Sequence, residues 1–225
     1  MLECIDIALC ATLDKRLNDA LALQASGKKL GIDIDLIISG NGLLDIKYDI
    51  IDSNDLPPKY PNSIKKEAAS WWTRPNNYNA WKSHRTLFKK ALDTNCKILL
   101  MLEDDAQFEK DFLPILNQSS PFLKETKWDL CYLGAYVNQY NSVPSIPTVL
   151  KLLNGGGTHG VLIKRNILEW AVTLPPLGPF DWIFSLVQPQ LNVYCINPSI
   201  ITQKSGFSYI ENSILNKPNR YIKKV

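Results

Sequence analysis

Histidine is scarce in this chain: its 225 residues contain two, His84 and His159. The five cysteines, Cys4, Cys10, Cys96, Cys131 and Cys195, include no Cys-x-x-Cys pair. A structural zinc site needs four closely spaced N or S ligands, so this inventory gives no basis for one. An odd, scattered set of cysteines also reads as buried reduced thiols rather than a secreted disulfide framework. Excess charge is missing as well. Lys+Arg 25 against Asp+Glu 22 leaves a formal +3, which gives no broad footprint for nucleic acid. No run approaches the roughly 18 apolar residues of a membrane span. Met1 to Asp6 places acids where a signal peptide carries a basic region. These absences predict a cytoplasmic protein without a transmembrane segment and without a nucleic-acid partner, with peripheral membrane association left open.

What is present is an ordinary globular composition, 45% hydrophobic and 21% charged. No repeat or separating linker is visible, so residues 1–225 are expected to form one domain. Cys4 to Cys10 suits a strand, and Thr12 can cap a helix carrying Leu13, Leu17, Leu21 and Leu30 that stops at Gly31. Ile32 to Ile38 is a second strand, which makes a β-α-β opening. Asp52 to Pro61 is polar and proline-rich, a surface loop leading to Trp71 and Trp72. From Asn77 a second helix places Trp81, His84, Leu87, Phe88 and Ala91 on one face. Ile98 to Leu102 is a continuous apolar run of the kind found in a strand covered on both faces. Further strands are expected at Trp128 to Gly134, Gly160 to Ile163 and Asn192 to Ile196. Helices are expected from about Asn166 and over Phe180 to Val187, and Asn138 to Pro147 reads as a loop.

Three constellations carry possible chemistry. Glu103-Asp104-Asp105 ends the buried run, and in open α/β sheets ligands bind beyond such strand ends. Three adjacent carboxylates repel one another, and a hard divalent cation is their natural partner. The bland alternative is a helix start in which Asp105 caps a helix containing Phe108 and Phe112. The run Gly155 to Gly160 matches Gly-x-Gly-x-x-Gly, but it precedes a strand instead of following one. It is therefore not a dinucleotide fingerprint, and its glycines suit close backbone approach to a ligand or simple loop flexibility. Asp181, between Pro179-Phe180 and Trp182, is a candidate desolvated general base, with helix capping as the alternative. His159 beside the glycines is a candidate substrate contact, whereas His84 on an apolar face reads as a core histidine. Trp71, Trp72, Tyr78 and Trp81 form core or a sugar-stacking platform.

The order of these motifs resembles glycosyltransferase family 25, which includes lipooligosaccharide and collagen galactosyltransferases. Ala80 to His84 followed by Leu87 to Leu92 looks like the family's Ser-His helix, with Ser83 and His84. Ile98 to Phe108 looks like its strand ending in Glu-Asp-Asp, and Trp128 to Gly134 like the strand after it. Thr158 to Ile163 and Pro179-Phe180-Asp181 resemble the segment leading to its Pro-x-Asp element. Pro198 to Ile210, with Gln203 and Ser208, resembles its closing loop. Ile7-Ala8-Leu9 and Arg16 approximate its opening strand and arginine turn.

The resemblance implies a GT-A type α/β domain with a mostly parallel central sheet flanked by helices, Rossmann-like in binding a nucleotide-sugar. It implies an inverting, metal-dependent transfer of a hexose, galactose or glucose, from a UDP-sugar to a glycan or a glycosylated or hydroxylated protein. Asp105, with Glu103 or Asp104, would hold Mn²⁺ or Mg²⁺ against the diphosphate. Ala8, Leu9, Arg16, Ser83, His84, Glu103, Asp104, His159, Gln203 and Ser208 would contact the donor, and Asp181 would be the base. A magnesium-dependent nucleotidyltransferase and a non-catalytic carbohydrate-binding module are the alternatives.

Overall fold

The computed structural model describes residues 4–39, 75–174, 178–208 and 213–215. The expected loop from Asp52 to Pro61, together with Trp71 and Trp72, lies outside them. The architecture is mixed α/β, built on an eight-stranded sheet in the order β2-β1-β3-β8-β5-β9-β7-β6. These strands are β1 (Ile7–Leu13), β2 (Ile34–Ser39), β3 (Ile98–Glu103), β5 (Leu130–Tyr132), β6 (Tyr136–Ser142), β7 (Val149–Gly156), β8 (Gly160–Lys164) and β9 (Val193–Ile196). Strand β4 (Ala106–Phe108) pairs instead with β10 (Ile201–Gln203), and β11 (Gly206–Ser208) with β12 (Ser213–Leu215). The helices are α1 (Leu17–Lys29), α2 (Pro75–Asp93), α3 (Phe112–Glu125), α4 (Arg165–Ala171) and α5 (Phe180–Val187).

Parallel pairing joins β1 to β2, β1 to β3 and β5 to β9. The remaining neighbours in the sheet are antiparallel. The sheet is therefore mixed, which corrects the expectation of a mostly parallel one. Strand β8 breaks the parallel arrangement, because it runs antiparallel between β3 and β5.

Period-two alternation divides the core between the two faces. Leu99 and Met101 of β3 bury against Leu87, Phe88, Phe180 and Phe184 of α2 and α5. Leu100 and Leu102 bury with Ala20 and Leu23 of α1 and Phe112 and Leu116 of α3. The predicted face of α1 is rotated: Leu21 is 45% exposed, while Ala20, Leu23 and Gly27 face inward. Gly27 has to be small, because a Cβ there would lie 2.5 Å from Ile34 Cδ1.

Two further elements differ from expectation. Thr12 belongs to β1 instead of capping a helix, and a single 3₁₀ turn over Asp14–Arg16 separates that strand from α1. Residues 136–142 form an edge strand, not a loop. An edge needs no apolar face, and this one stays largely exposed while pairing with β7. All five cysteines are buried and none is in a disulfide. No helix among the described residues is long and apolar enough to cross a membrane.

Candidate active site

The acidic turn follows directly from the alternation along β3. Glu103 continues the Leu99 and Met101 row and so points to the α2/α5 face. Asp104 points to the opposite face, toward the turn before α1. The three carboxylates consequently diverge, and each acquires its own partners.

Glu103 Oε1 accepts a hydrogen bond from Thr158 Oγ1 at 2.5 Å and lies 3.4 Å from His84 Nε2. Burial pushes the Glu103 carboxyl up, but hydrogen bonds from His84 and Thr158, together with the charges of His84 and His159, outweigh it and hold the group below its ordinary value. Asp104 Oδ2 accepts from Thr12 Oγ1 at 2.9 Å, and Asp104 Oδ1 sits 3.0 Å from Arg16 Nη1. Burial nevertheless raises its pKa, against the pull of Arg16. Asp105 Oδ2 accepts from Gln203 Nε2 at 2.8 Å, while its buried Oδ1 has no hydrogen-bond partner among the described residues. Burial and the neighbouring Glu103 charge push Asp105 up to about 7.

On the α2/α5 side lies a cavity of about 470 Å³. Glu103, His84, Thr158, His159, Asp181 and Gln203 all line it, together with Tyr136, Asn138, Asn154, Trp182, Ser185 and the three glycines 155–157. No Lys or Arg is among the described residues that line it. Three devices bring these groups together. Antiparallel pairing sets Gly160 opposite Leu102, which carries Thr158 and His159 to the end of β3. Next, β10 pairs with β4 just beyond the acidic turn, setting Gln203 opposite Ala106. Ile201 can cross there because Gly134 and Gly160 lack side chains: a Cβ on Gly160 would lie 2.8 Å from Ile201 Cγ2, and one on Gly134 would collide with the Ile201 carbonyl oxygen. Finally, Pro179 directs the chain into α5, whose first turn holds Asp181 against the cavity.

Asp181 Oδ1 accepts from the Trp182 backbone N–H at 2.8 Å. Burial first, and then the Glu103 charge, raise its pKa. His159 is buried edge-on to Tyr136, with ring centroids 5.9 Å apart, and burial lowers its pKa. Tyr136 Oη donates to Gln203 Oε1 at 2.7 Å, completing a chain from the edge strand through Gln203 to Asp105.

Residues 80–152 match the family model of glycosyltransferase family 25, described as an LPS biosynthesis protein. This is the family that the Ser-His and Glu-Asp-Asp motifs resemble, and the match spans both. No curated protein matches the chain. A solved structure described as the crystal structure of A197 from STIV aligns over 97% of this chain and 98% of its own, at 13% identity and a TM-score of 0.42.

Of the residues expected at the site, Glu103, His84, His159, Asp181 and Gln203 meet in the cavity, with Asp105, Asp104 and Arg16 linked beside it. Others stand apart. Ala8 and Leu9 have their side chains sealed in the two halves of the core. Ser83 Oγ donates to the Asn79 carbonyl at 2.8 Å and lies 2.6 Å from Ser39 Oγ. Ser208 falls in β11, and its side chain lies outside the described residues. His84, read as a core histidine, is buried but also lines the cavity. The helix-capping reading of the acidic turn fails, since Phe108 ends a strand and α3 begins only at Phe112. Thr158 and Tyr136 were not singled out by sequence; the hydroxyl of Thr158, next to His159, was the available signal.

No group of three or more His, Cys, Asp or Glu side chains among the described residues is arranged to hold a metal ion. The divergence of Glu103, Asp104 and Asp105 is the reason. The orphaned Asp105 Oδ1 has the character of a ligand awaiting a cation.

Proposed function

We propose that the protein is a single-domain, inverting glycosyltransferase of GT-A type that transfers a hexose from a UDP-sugar to a glycan or a glycosylated or hydroxylated protein. The observation that carries this reading is the meeting of Glu103, His84, His159, Asp181 and Gln203 in one cavity beside the acidic turn. The match of residues 80–152 to glycosyltransferase family 25 supports it. In this reading the parallel trio β2-β1-β3 is the nucleotide-binding half of the domain, and the work is done in the cytoplasm or at a membrane surface.

The donor set fits a divalent cation at Asp105 and not at Asp104. Glu103 Oε1 is taken by Thr158 and His84, and both oxygens of Asp104 are taken by Thr12 and Arg16. Asp105 offers one free, buried oxygen, and Mg²⁺ or Mn²⁺ commonly takes one or two protein carboxylates and completes its shell with water and phosphate. When bound there, the cation would supply charge to offset that developing on the leaving nucleoside diphosphate. Gln203 orients Asp105 for this role. Asp181 takes the acceptor hydroxyl proton: its raised pKa makes it a better base than an exposed aspartate, and it shares the cavity in which the acceptor would sit.

Calorimetry with UDP, UDP-glucose and UDP-galactose, with and without Mn²⁺, tests the reading. Asp105→Ala should abolish metal-dependent donor binding, whereas Asp181→Asn should keep donor binding and lower transfer by two or more orders of magnitude, as loss of a general base does. Binding of nucleoside triphosphates with no response to UDP-sugars would indicate a nucleotidyltransferase. Binding of free glycan alone would indicate a carbohydrate-binding module.

A further inference from the structure

We propose that Glu103 serves the cavity as a fixed, single-oxygen acceptor for a sugar hydroxyl, and that Thr158 is the residue that positions it. The proposal rests on the glycosyltransferase reading and adds to it a division of labour within the acidic turn. Alternation along β3 turns Glu103 away from Asp104 and Arg16 and into the cavity, so it is separated from the phosphate side of the site.

Both of its contacts fall on one oxygen. Thr158 Oγ1 and His84 Nε2 approach Oε1, while Oε2 has no partner among the described residues and the side chain remains 23% exposed. A carboxylate held by one oxygen loses its torsional freedom and presents the other in a fixed direction. No Lys or Arg among the described residues lines the cavity, which leaves Oε2 open to a donor that the ligand brings. The paired presence of Glu103 and Asp181 repels phosphate and acidic sugars, which leaves a neutral hydroxyl as the partner. Thr158 is itself buried, with its hydroxyl proton committed to Glu103, so it acts through that residue. The preceding Gly157, at φ +119, allows the chain to turn so that this hydroxyl faces β3.

The hydroxyl belongs to the donor hexose or to the acceptor, and one experiment separates the two. The full chain and its Thr158→Val, Thr158→Ser and Glu103→Gln variants are titrated with UDP and with UDP-galactose or UDP-glucose in Mn²⁺. The KM for acceptor is measured alongside. Thr158→Val should leave UDP affinity unchanged and weaken either the UDP-sugar or the acceptor by about tenfold, the size of one lost charged hydrogen bond. Thr158→Ser should restore the loss, and Glu103→Gln should reproduce it on the same ligand. Weakening of UDP itself in equal measure would overturn the proposal by placing Glu103 on the nucleotide side. Unchanged constants in both Thr158→Val and Glu103→Gln would overturn it while leaving the transferase reading intact. A wild-type chain that binds neither UDP nor any UDP-sugar would overturn that reading and this proposal with it.

Discussion

Replacing Arg16 by Met removes the charge that faces Asp104 while keeping most of the side chain's apolar stem. Asp104 is 9% exposed and Arg16 19%, with 3.0 Å between Nη1 and Oδ1. Removing one partner of a buried pair costs about 3–5 kcal/mol, because the other charge is left without compensation. Arg16 is partly solvated and Thr12 still holds Asp104 Oδ2, so the low end applies, about 3 kcal/mol at neutral pH. For a chain of this size that corresponds to a fall of about 6–12 °C in melting temperature. The pH dependence has a definite sign. Burial already raises the folded pKa of Asp104 above its ordinary value of 3.8, and loss of Arg16 raises it further. A raised carboxyl stabilises the fold only while protonated, so its contribution is lost as pH climbs from 3.8 through the folded value. The penalty of Arg16→Met should therefore be large at pH 7 and shrink toward pH 4, as measured by urea unfolding followed through tryptophan fluorescence. Adding Asp104→Asn should recover most of the loss at pH 7. A penalty equal at both pH values, or no recovery in the double variant, would refute the assignment of Arg16 as the counter-charge of the acidic turn.

Asp181→Asn should make the protein more stable at pH 7 and less active, since the variant removes a carboxylate whose burial disfavours its charged form. The gain should shrink as pH falls from 7 toward the ordinary carboxyl value of 3.8, and thermal melts at pH 7 and pH 4 check it. Gly134→Ala should destabilise the fold by more than about 2 kcal/mol, because its Cβ would meet the Ile201 carbonyl and lie 2.7 Å from His159 Nε2. Soluble yield and melting temperature report the loss. Pro121→Ala should stabilise α3 by about 1–3 kcal/mol, as Pro121 is exposed inside the helix and withholds an N–H there; a lowered melting temperature would contradict this.

The apolar runs made most of the sheet legible. β3, β8 and β9 fall where unbroken hydrophobic stretches are bounded by glycine, charge or asparagine, and the face of α2 from Trp81 to Ala91 is buried as its spacing predicts. The errors have physical causes. The polar edge strand β6 carries no alternation because neither of its faces is sealed. Helix α3 was hidden by Pro114 and Pro121, one in its first turn and one tolerated on its solvent side. Leu21 misled the reading of α1, where close contact with β2 selects Ala20 and Gly27 over a larger residue. At the site, residue types were readable but directions were not. Three adjacent acids suggested one cation, although the pleat of β3 already required Glu103 and Asp104 to face opposite sides. The contribution of Thr158 depends on a pairing across 55 residues, which no local pattern announces.

Ile201 lying across two glycines has a consequence for the order in which the molecule is made. All eight strands of the main sheet have been synthesised once Ile196 is added, yet Gln203 reaches Asp105 across 98 residues of intervening chain. At about 5–20 residues per second, the acidic turn leaves the ribosome roughly 5–20 s before the strand that closes it. Until then Asp105 lacks its amide partner and the cavity lacks one wall. The nascent protein thus acquires its scaffold first and its chemistry last, and a chain halted before residue 200 carries the carboxylates without the arrangement that sets them to work.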